Sequence, residues 1–316
     1  MGGTITLWSS PLLATTAIGL ALLIDAALGE PPRAHPLVGF GRYALWLEQR
    51  LARRGYHGGV IAAGLALLPP VIGCALLERA HALALPLDVL GLYVAIGHRS
   101  LRQHAWRVYR ALLADDLPLA RARVAQIVSR DTGAMGRTRV VVATIESVLE
   151  NGNDALFAAV FWFALAGAPA ALGYRLANTL DAMWGYRTAR YRRFGWCAAR
   201  LDDVLNFIPA RLTALSYALV GHCGTALRCW HHQGSQWASP NAGPVMAAGA
   251  GALRVSLGGG EFYHGSWRER SILGLGADPQ PEDISRALAL LLRALALWLA
   301  VIAALAIALA RVRSGS

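Results

Sequence analysis

Residues 286–310 read RALALLLRALALWLAVIAALAIALA, and after Arg286 a single charge, Arg293, interrupts the apolar run. A helix needs about 20 such residues to cross the hydrocarbon of a bilayer, so this stretch reads as a membrane span, with Arg293 snorkelling or facing the bundle. Four more stretches of the same kind occur near residues 10–29, 60–77, 82–97 and 155–173. The second contains Pro69 and Pro70, tolerated in a span where neighbours re-satisfy the backbone. A sixth stretch, 204–221, carries Asn206, Pro209 and Arg211 and reads as a re-entrant or buried helix. The expected fold is therefore all-α: a polytopic integral membrane helical bundle forming one domain over residues 1–316, with polar loops and helices facing the cytoplasm.

Composition agrees. Of 316 residues, 55% are hydrophobic and 16% charged, against roughly 25% charged in an ordinary soluble domain. The 30 basic residues outnumber 19 acidic ones, and every one is Arg. Without Lys there is no Walker-type phosphate loop, no Schiff-base lysine and no lysine general base. An all-Arg chain offers permanently charged planar forks for carboxylate and phosphate. The net charge of +11 is met by anionic lipid and anionic substrates, and no nucleic-acid partner is expected.

Arginine placement sets an expected orientation. Segment 1–10 has none, segment 30–59 has five, segment 98–154 has nine and segment 174–203 has six. The positive-inside rule puts the N-terminus outside and the first two Arg-rich segments inside the cell membrane. Segment 174–203 fits the inside only if 155–173 and 204–221 do not each cross once. Cys74, Cys197, Cys223 and Cys229 show no CxxC spacing and read as reduced thiols. No Arg precedes the first span, which reads as retained and not as a cleaved leader.

The densest chemical signal is residues 143–154, ATIESVLENGND, in which Glu146, Glu150 and Asp154 follow at four-residue steps along one helical face. Stacked like charges repel unless a cation lies on them, either Mg²⁺ or nearby Arg. A second cluster joins Arg175, Asn178, Asp181 and Tyr186 to Arg190, Arg200, Asp202, Asp203, Asn206 and Arg211, where the chain enters another apolar stretch. Acids at such depth mark a functional site or a structural Asp–Arg pair. Asp25 sits inside the first span, followed by Glu30, Pro31, Pro32, Arg33 and His35 in a stiff loop. The Gly258-Gly259-Gly260 run serves as a turn or a phosphate cradle. His231, His232 and His264 lack zinc-ligand spacing.

Together these motifs resemble a family of cobalamin-biosynthesis membrane proteins, the adenosylcobinamide-phosphate synthases (CobD/CbiB). The resemblance is carried by Asp25 with residues 29–32 (GEPP) and His35-Pro36, by residues 129–132 (SRDT), by residues 143–154, and by Tyr174-Arg175 with residues 178–181 (NTLD). It continues through Gly185-Tyr186, Tyr191, Phe194-Gly195, residues 199–206, Pro209-Ala210-Arg211 and residues 239–243. Two departures stand out: the family usually has Asp where Glu30 stands, and an Asp and a His upstream of Ser239, where this chain has His231-His232 and Gln236-Trp237.

The resemblance implies an ATP- and Mg²⁺-dependent amide ligase joining a carboxylate of adenosylcobyric acid, a corrinoid, to aminopropanol or its phosphate. Uphill amide formation calls for an activated carboxylate, such as an acyl phosphate. The expected catalytic acids are Asp25, Glu146, Glu150, Asp181 and Asp202, with Glu146, Glu150, Asp154, Asp202 and Asp203 on Mg²⁺. Substrate and phosphate contacts are expected from His35, Arg42, Arg130, Asp131, Asn151, Arg175, Asn178, Tyr186, Arg190, Arg200, Asn206, Arg211 and Asn241. A second copy of the chain or a soluble pathway partner stays open. Two other readings compete. A Mg²⁺-dependent membrane prenyltransferase would use the NTLD and DDVLN motifs but needs two similar halves. A transporter would spread its acids along several spans.

Overall fold

The computed structural model describes residues 5–30, 35–79, 84–186, 188–263 and 265–314. Pro31, Pro32 and Arg33 of the stiff loop, and His264, lie outside the described residues. The helices in chain order are α1 (Pro11–Leu28), α2 (Pro36–Leu51), α3 (Gly55–Glu78), α4 (Ala84–Ala95), α5 (His98–Leu113), α6 (Leu117–Val124) and α7 (Arg137–Gly152). They continue as α8 (Ala158–Trp184), α9 (Tyr191–Phe194), α10 (Trp196–Val220), α11 (Cys223–Gln233), α12 (Ala242–Leu253) and α13 (Pro281–Ser314). Four short strands, β1 (Leu257–Gly258), β2 (Glu261–Tyr263), β3 (Ser266–Arg268) and β4 (Ile272–Leu273), pair antiparallel as β1 with β4 and β2 with β3. The protein is an all-α membrane bundle with this one small β appendage. By length and composition four helical runs can cross a membrane: Pro11–Leu28, Pro36–Glu78, Arg137–Trp184 and Pro281–Ser314.

Where the sequence alone reads as one domain, the chain divides into two compact units. The first holds Met1–His98, Asp154–Asn206 and Val301–Ser316; the second holds Arg99–Asn153 and Phe207–Ala300.

In the first unit, two of the long runs fold back on themselves. The Tyr43 hydroxyl donates to the Leu65 carbonyl at 3.3 Å, although 22 residues of straight helix would separate them by about 33 Å. The 3-10 turn Ala52–Arg54 and Gly55, at φ 58°, make that reversal, so α2 lies antiparallel on α3. Ala44, Leu47, Ala62, Ala63 and Ala66 form the seam with Leu180, Trp184 and Phe194. Pro69 and Pro70 stay inside α3 without ending it.

The second reversal corrects the single span expected near 155–173. Inside α8, Ala166 and Gly167 leave helical geometry, Gly167 at φ 72° and ψ −167°, a region open essentially to glycine. The Tyr174 hydroxyl lies 3.0 Å from the Asp154 carbonyl, so the chain has turned back within 20 residues. The apolar stretch is a pair of arms joined at a tip and not a straight crossing. The reason is Ala-Gly-Ala-Pro at 166–169: small residues permit the sharp turn, and Pro169 supplies no N–H that would need a partner. The exposed backbone groups of the tip are satisfied locally. Asp88 Oδ1 accepts from Ala168 N at 3.0 Å, and Leu7 N donates to Ala164 O at 3.2 Å. The two arms of α8 on either side of the tip therefore run antiparallel, bringing Tyr174 back beside Asp154.

The second unit is built on α7, almost wholly buried from Val140 to Leu149, with α12 and the β appendage packed on it. Tyr217 reaches from α10 to donate to Leu149 O at 3.2 Å, and Thr213 donates to Asn153 Oδ1 at 2.9 Å.

Candidate functional site

In the second unit Glu146 is 1% exposed and surrounded by donors. Arg130 Nη2 reaches its Oε2 at 2.6 Å, Arg270 Nη2 lies 2.9 and 3.1 Å from its two oxygens, and Gly258 N donates to Oε1 at 2.9 Å. Glu261 forms the next link, ion-paired with Arg139 and 3.6 Å from Arg130 Nη1. Arg139 also donates to the carbonyls of Gly258 and Gly260, both at 2.8 Å, and Arg270 Nε to Gly259 O at 3.1 Å. The glycine run is therefore a turn whose carbonyls receive arginine, and the Gly258 amide is occupied by Glu146. It does not present a free row of amides to phosphate.

This network walls a cavity of about 590 Å³, lined among others by Arg130, Glu146, Glu150, Asn151, Trp237 and Arg270. Arg270 stacks over Trp237 at 4.8 Å, which fixes its fork. Asn151 donates to Ser147 Oγ at 2.9 Å, and Ser147 to Ile127 O at 3.1 Å, ordering the adjoining wall. Guanidinium and carboxylate groups held in place around such a volume present fixed, oriented charge, an arrangement chemically suited to a small polar molecule with anionic groups. Asp131, expected at substrate, instead accepts from Gly265 N at 2.7 Å and pins the β2–β3 hairpin. Arg211 and Asn241, also expected there, hold each other at 2.6 Å.

A second polar cluster belongs to the first unit. Asp202 Oδ1 accepts from Asn178 Nδ2 at 3.0 Å and both its oxygens from Asn206 Nδ2 at 3.1 Å. Tyr174 lies 3.0 Å from Asn206 Oδ1, and Arg175 reaches Asn178 Oδ1 at 3.4 Å. Burial pushes the Asp202 carboxyl above the usual range, the two amides pull it back, and neighbouring Asp203 adds to the rise. A Cβ on Gly97 would stand 2.9 Å from Glu30 Oε1 and 4.0 Å from Arg175 Nη2, so these opposite charges flank Gly97. Asp25, 1% exposed, has Oδ2 at 3.9 Å from His98 Nδ1, and Tyr93 donates to Gly29 O at 2.6 Å. His35 caps α2, its Nδ1 accepting from Leu37 N at 3.1 Å.

Several predicted residues stand elsewhere. Arg190 pairs with buried Glu48, which also receives the Tyr191 hydroxyl at 3.1 Å, and Arg200 pairs with Asp203 at 2.8 Å. Asp181 packs against Gly185 at the end of α8, where a Cβ would lie 1.9 Å from its Oδ1. Arg42 and Tyr186 are exposed. Asp154 falls in a π-helical turn, Asn153–Phe157, that ends the four-residue register of Glu146 and Glu150.

The five-carboxylate set expected on Mg²⁺ is accordingly not assembled. Arg130 and Arg270 neutralise Glu146, and Arg200 neutralises Asp203; among the described residues no three His, Cys, Asp or Glu side chains converge to hold a metal ion. Sequence reasoning missed Arg270 as a partner of Glu146, and Arg139 with Glu261 as the next link of the network. Arg270 lies 124 positions away, and no periodicity connects them.

A family model described as CobD/Cbib protein matches residues 18–291. Proteins named cobalamin biosynthesis protein CobD are similar over most of their length. That of Chromobacterium violaceum is 55% identical over 91% of this chain and 95% of its own, and that of Stutzerimonas stutzeri 55% over 89% and 94%. The one from Mycobacterium tuberculosis is 39% identical over 87% and 91%. No solved structure matches.

Proposed function

The chain belongs to the CobD/CbiB family, and from that membership we propose that it serves cobalamin biosynthesis as an ATP-dependent ligase joining an amine to a corrinoid carboxylate. The substrates of this reading are adenosylcobyric acid, aminopropanol or its phosphate, and ATP. The observation that carries it is the arginine-bracketed Glu146 in the wall of the 590 Å³ cavity. That volume suits a nucleotide's phosphates or a small amine, not a whole corrinoid.

The chemistry needs two steps. A carboxylate oxygen of the corrinoid attacks the γ-phosphorus of ATP, and ADP leaves, giving an acyl phosphate. The amine nitrogen then attacks the carbonyl carbon; phosphate leaves and the nitrogen loses a proton. Charge builds on transferring phosphoryl oxygens in the first step and on the carbonyl oxygen in the second. Rigid guanidinium forks aimed at such charge are the device that stabilises it. Glu146 acts here as a positioning residue, fixing Arg130 and Arg270. A Mg²⁺ ion bound to the nucleotide's phosphates would neutralise their charge, and Glu150, on the cavity wall, is the carboxylate that would hold it. The first unit's cluster of Asp25, His35, Arg175, Asn178, Asp202 and Asn206 holds donors and acceptors of the kind that bind amide and carboxylate groups.

The test is an assay on the purified full chain in detergent with adenosylcobyric acid, ATP, Mg²⁺ and either amine, following the corrinoid by mass spectrometry. An ATP-dependent mass gain of one amide bond supports the reading and identifies the amine. Folded, corrinoid-binding protein that yields no product with either amine would overturn the ligase assignment.

A further inference from the structure

Away from both clusters, the first unit gathers arginines from two segments far apart in sequence. Arg53 and Arg54 form the turn between α2 and α3; Arg192 and Arg193 belong to α9. Glycines bring the segments together. A Cβ on Gly59 would lie 1.9 Å from Phe194 O, and one on Gly55 would lie 3.8 Å from Arg193 Cβ. All four side chains are exposed, and among the described residues none of them forms an ion pair. Of the acids nearest in sequence, Glu48 is engaged by Arg190, Asp202 by Asn178 and Asn206, and Asp203 by Arg200.

The surroundings identify the counter-ion. Exposed apolar side chains run along α3 from Val60 to Leu77, a lipid-facing stripe that starts just beyond Arg54. Tyr56 and Trp196, each 49% exposed, stand edge to face at 6.0 Å beside the arginines. Amphipathic aromatics at the end of an apolar helix mark headgroup level, where a basic cluster meets lipid phosphate. We infer that Arg53, Arg54, Arg192 and Arg193 form a binding site for the phosphate of an anionic lipid headgroup. The site rests on this packing alone and is independent of the ligase reading.

The test uses the full chain in lipid nanodiscs made of phosphatidylcholine with or without phosphatidylglycerol, with retained lipid counted by native mass spectrometry. The wild type is expected to retain phosphatidylglycerol over phosphatidylcholine by about fivefold or more. Replacing all four arginines by Gln removes most of that preference, while Arg228→Gln with Arg254→Gln, exposed arginines of the second unit, leaves it unchanged. An unchanged preference in the fourfold variant, or equal loss in the control, overturns the site. So does release of the bound lipid by millimolar inorganic phosphate, which would indicate a soluble anion. Should the fourfold variant not fold, Arg53→Gln/Arg54→Gln and Arg192→Gln/Arg193→Gln are measured as pairs. Each is expected to lower the preference, and no change in either refutes the inference.

Discussion

Glu146 shows how a residue can be legible while its role is not. Its place in a row of acids was visible in the sequence, and its burial follows from the apolar residues on every side of α7. The counter-charges come from Arg130 and Arg270 across the fold, and that pairing decides what it does. Glu146→Gln keeps the shape and removes the charge that fixes both forks. Turnover is expected to fall about 100-fold or more while the protein remains folded, as for the loss of a charge-stabilising group. Glu146→Ala leaves two buried guanidinium groups without their carboxylate, and should cost about 3–5 kcal/mol of stability. Melting curves beside turnover in detergent separate the two effects; full activity in Glu146→Gln would remove Glu146 from the machinery. His35 offers a pH prediction. Burial lowers its imidazole below the ordinary value, with Glu30 opposing and Arg175 adding. The folded state then binds fewer protons than the unfolded one just below the unperturbed value near 6.5, so stability is complete above it and declines as pH falls through the folded value. Protonation would also remove the cap, because a protonated Nδ1 can no longer accept from Leu37 N. His35→Asn keeps a capping acceptor and should flatten the pH dependence of melting between about pH 5 and 7, with the cap worth about 0.5–2 kcal/mol. An identical slope in both proteins would remove His35 as the source.

At the scale of elements, the long apolar helices were plain in the sequence because 3.6-residue periodicity gives way to near-continuous hydrophobicity in a membrane. The re-entrant pair in α8 was not plain. Ala166, Gly167, Ala168 and Pro169 are all small or apolar, so composition runs smoothly through the place where the backbone turns back. The residue that makes the turn tolerable, Asp88, sits in a different helix, 80 positions from Ala168 in sequence. Asp88→Ala should leave Ala168 N–H unsatisfied in apolar surroundings and cost about 1–3 kcal/mol. Gly167→Ala forces a side chain into a glycine-only conformation and should cost a similar amount, about 1–3 kcal/mol. Both substitutions act on one tip, so the double variant is expected to lose less than the sum of the singles. Strictly additive losses in thermal melts would show that Asp88 does not hold the tip.

For the whole molecule, the fold-back of α8 bears on the topology that residue counting left open, and labelling tests it. The turn carrying Arg53 and Arg54 and the helix α9 lie together at one end of the first unit, because Gly55 and Gly59 bring the start of α3 against Arg193 and Phe194. At the other end, Arg313 donates to the carbonyls of Trp8 and Ser9, so the two ends of the described chain meet there. Arg53, Arg54, Arg192 and Arg193 gather at the first of these ends, and the positive-inside rule predicts that this end faces inward. The expectation is concrete. In a variant whose Cys74, Cys197, Cys223 and Cys229 are replaced by Ala, His57→Cys and Thr188→Cys should react with a membrane-impermeant maleimide only in inverted vesicles. Trp8→Cys and Ser314→Cys should react only in intact spheroplasts. Labelling of His57→Cys and Thr188→Cys from opposite sides would require 155–173 to cross the membrane once, and would overturn the re-entrant reading together with the shared arginine face.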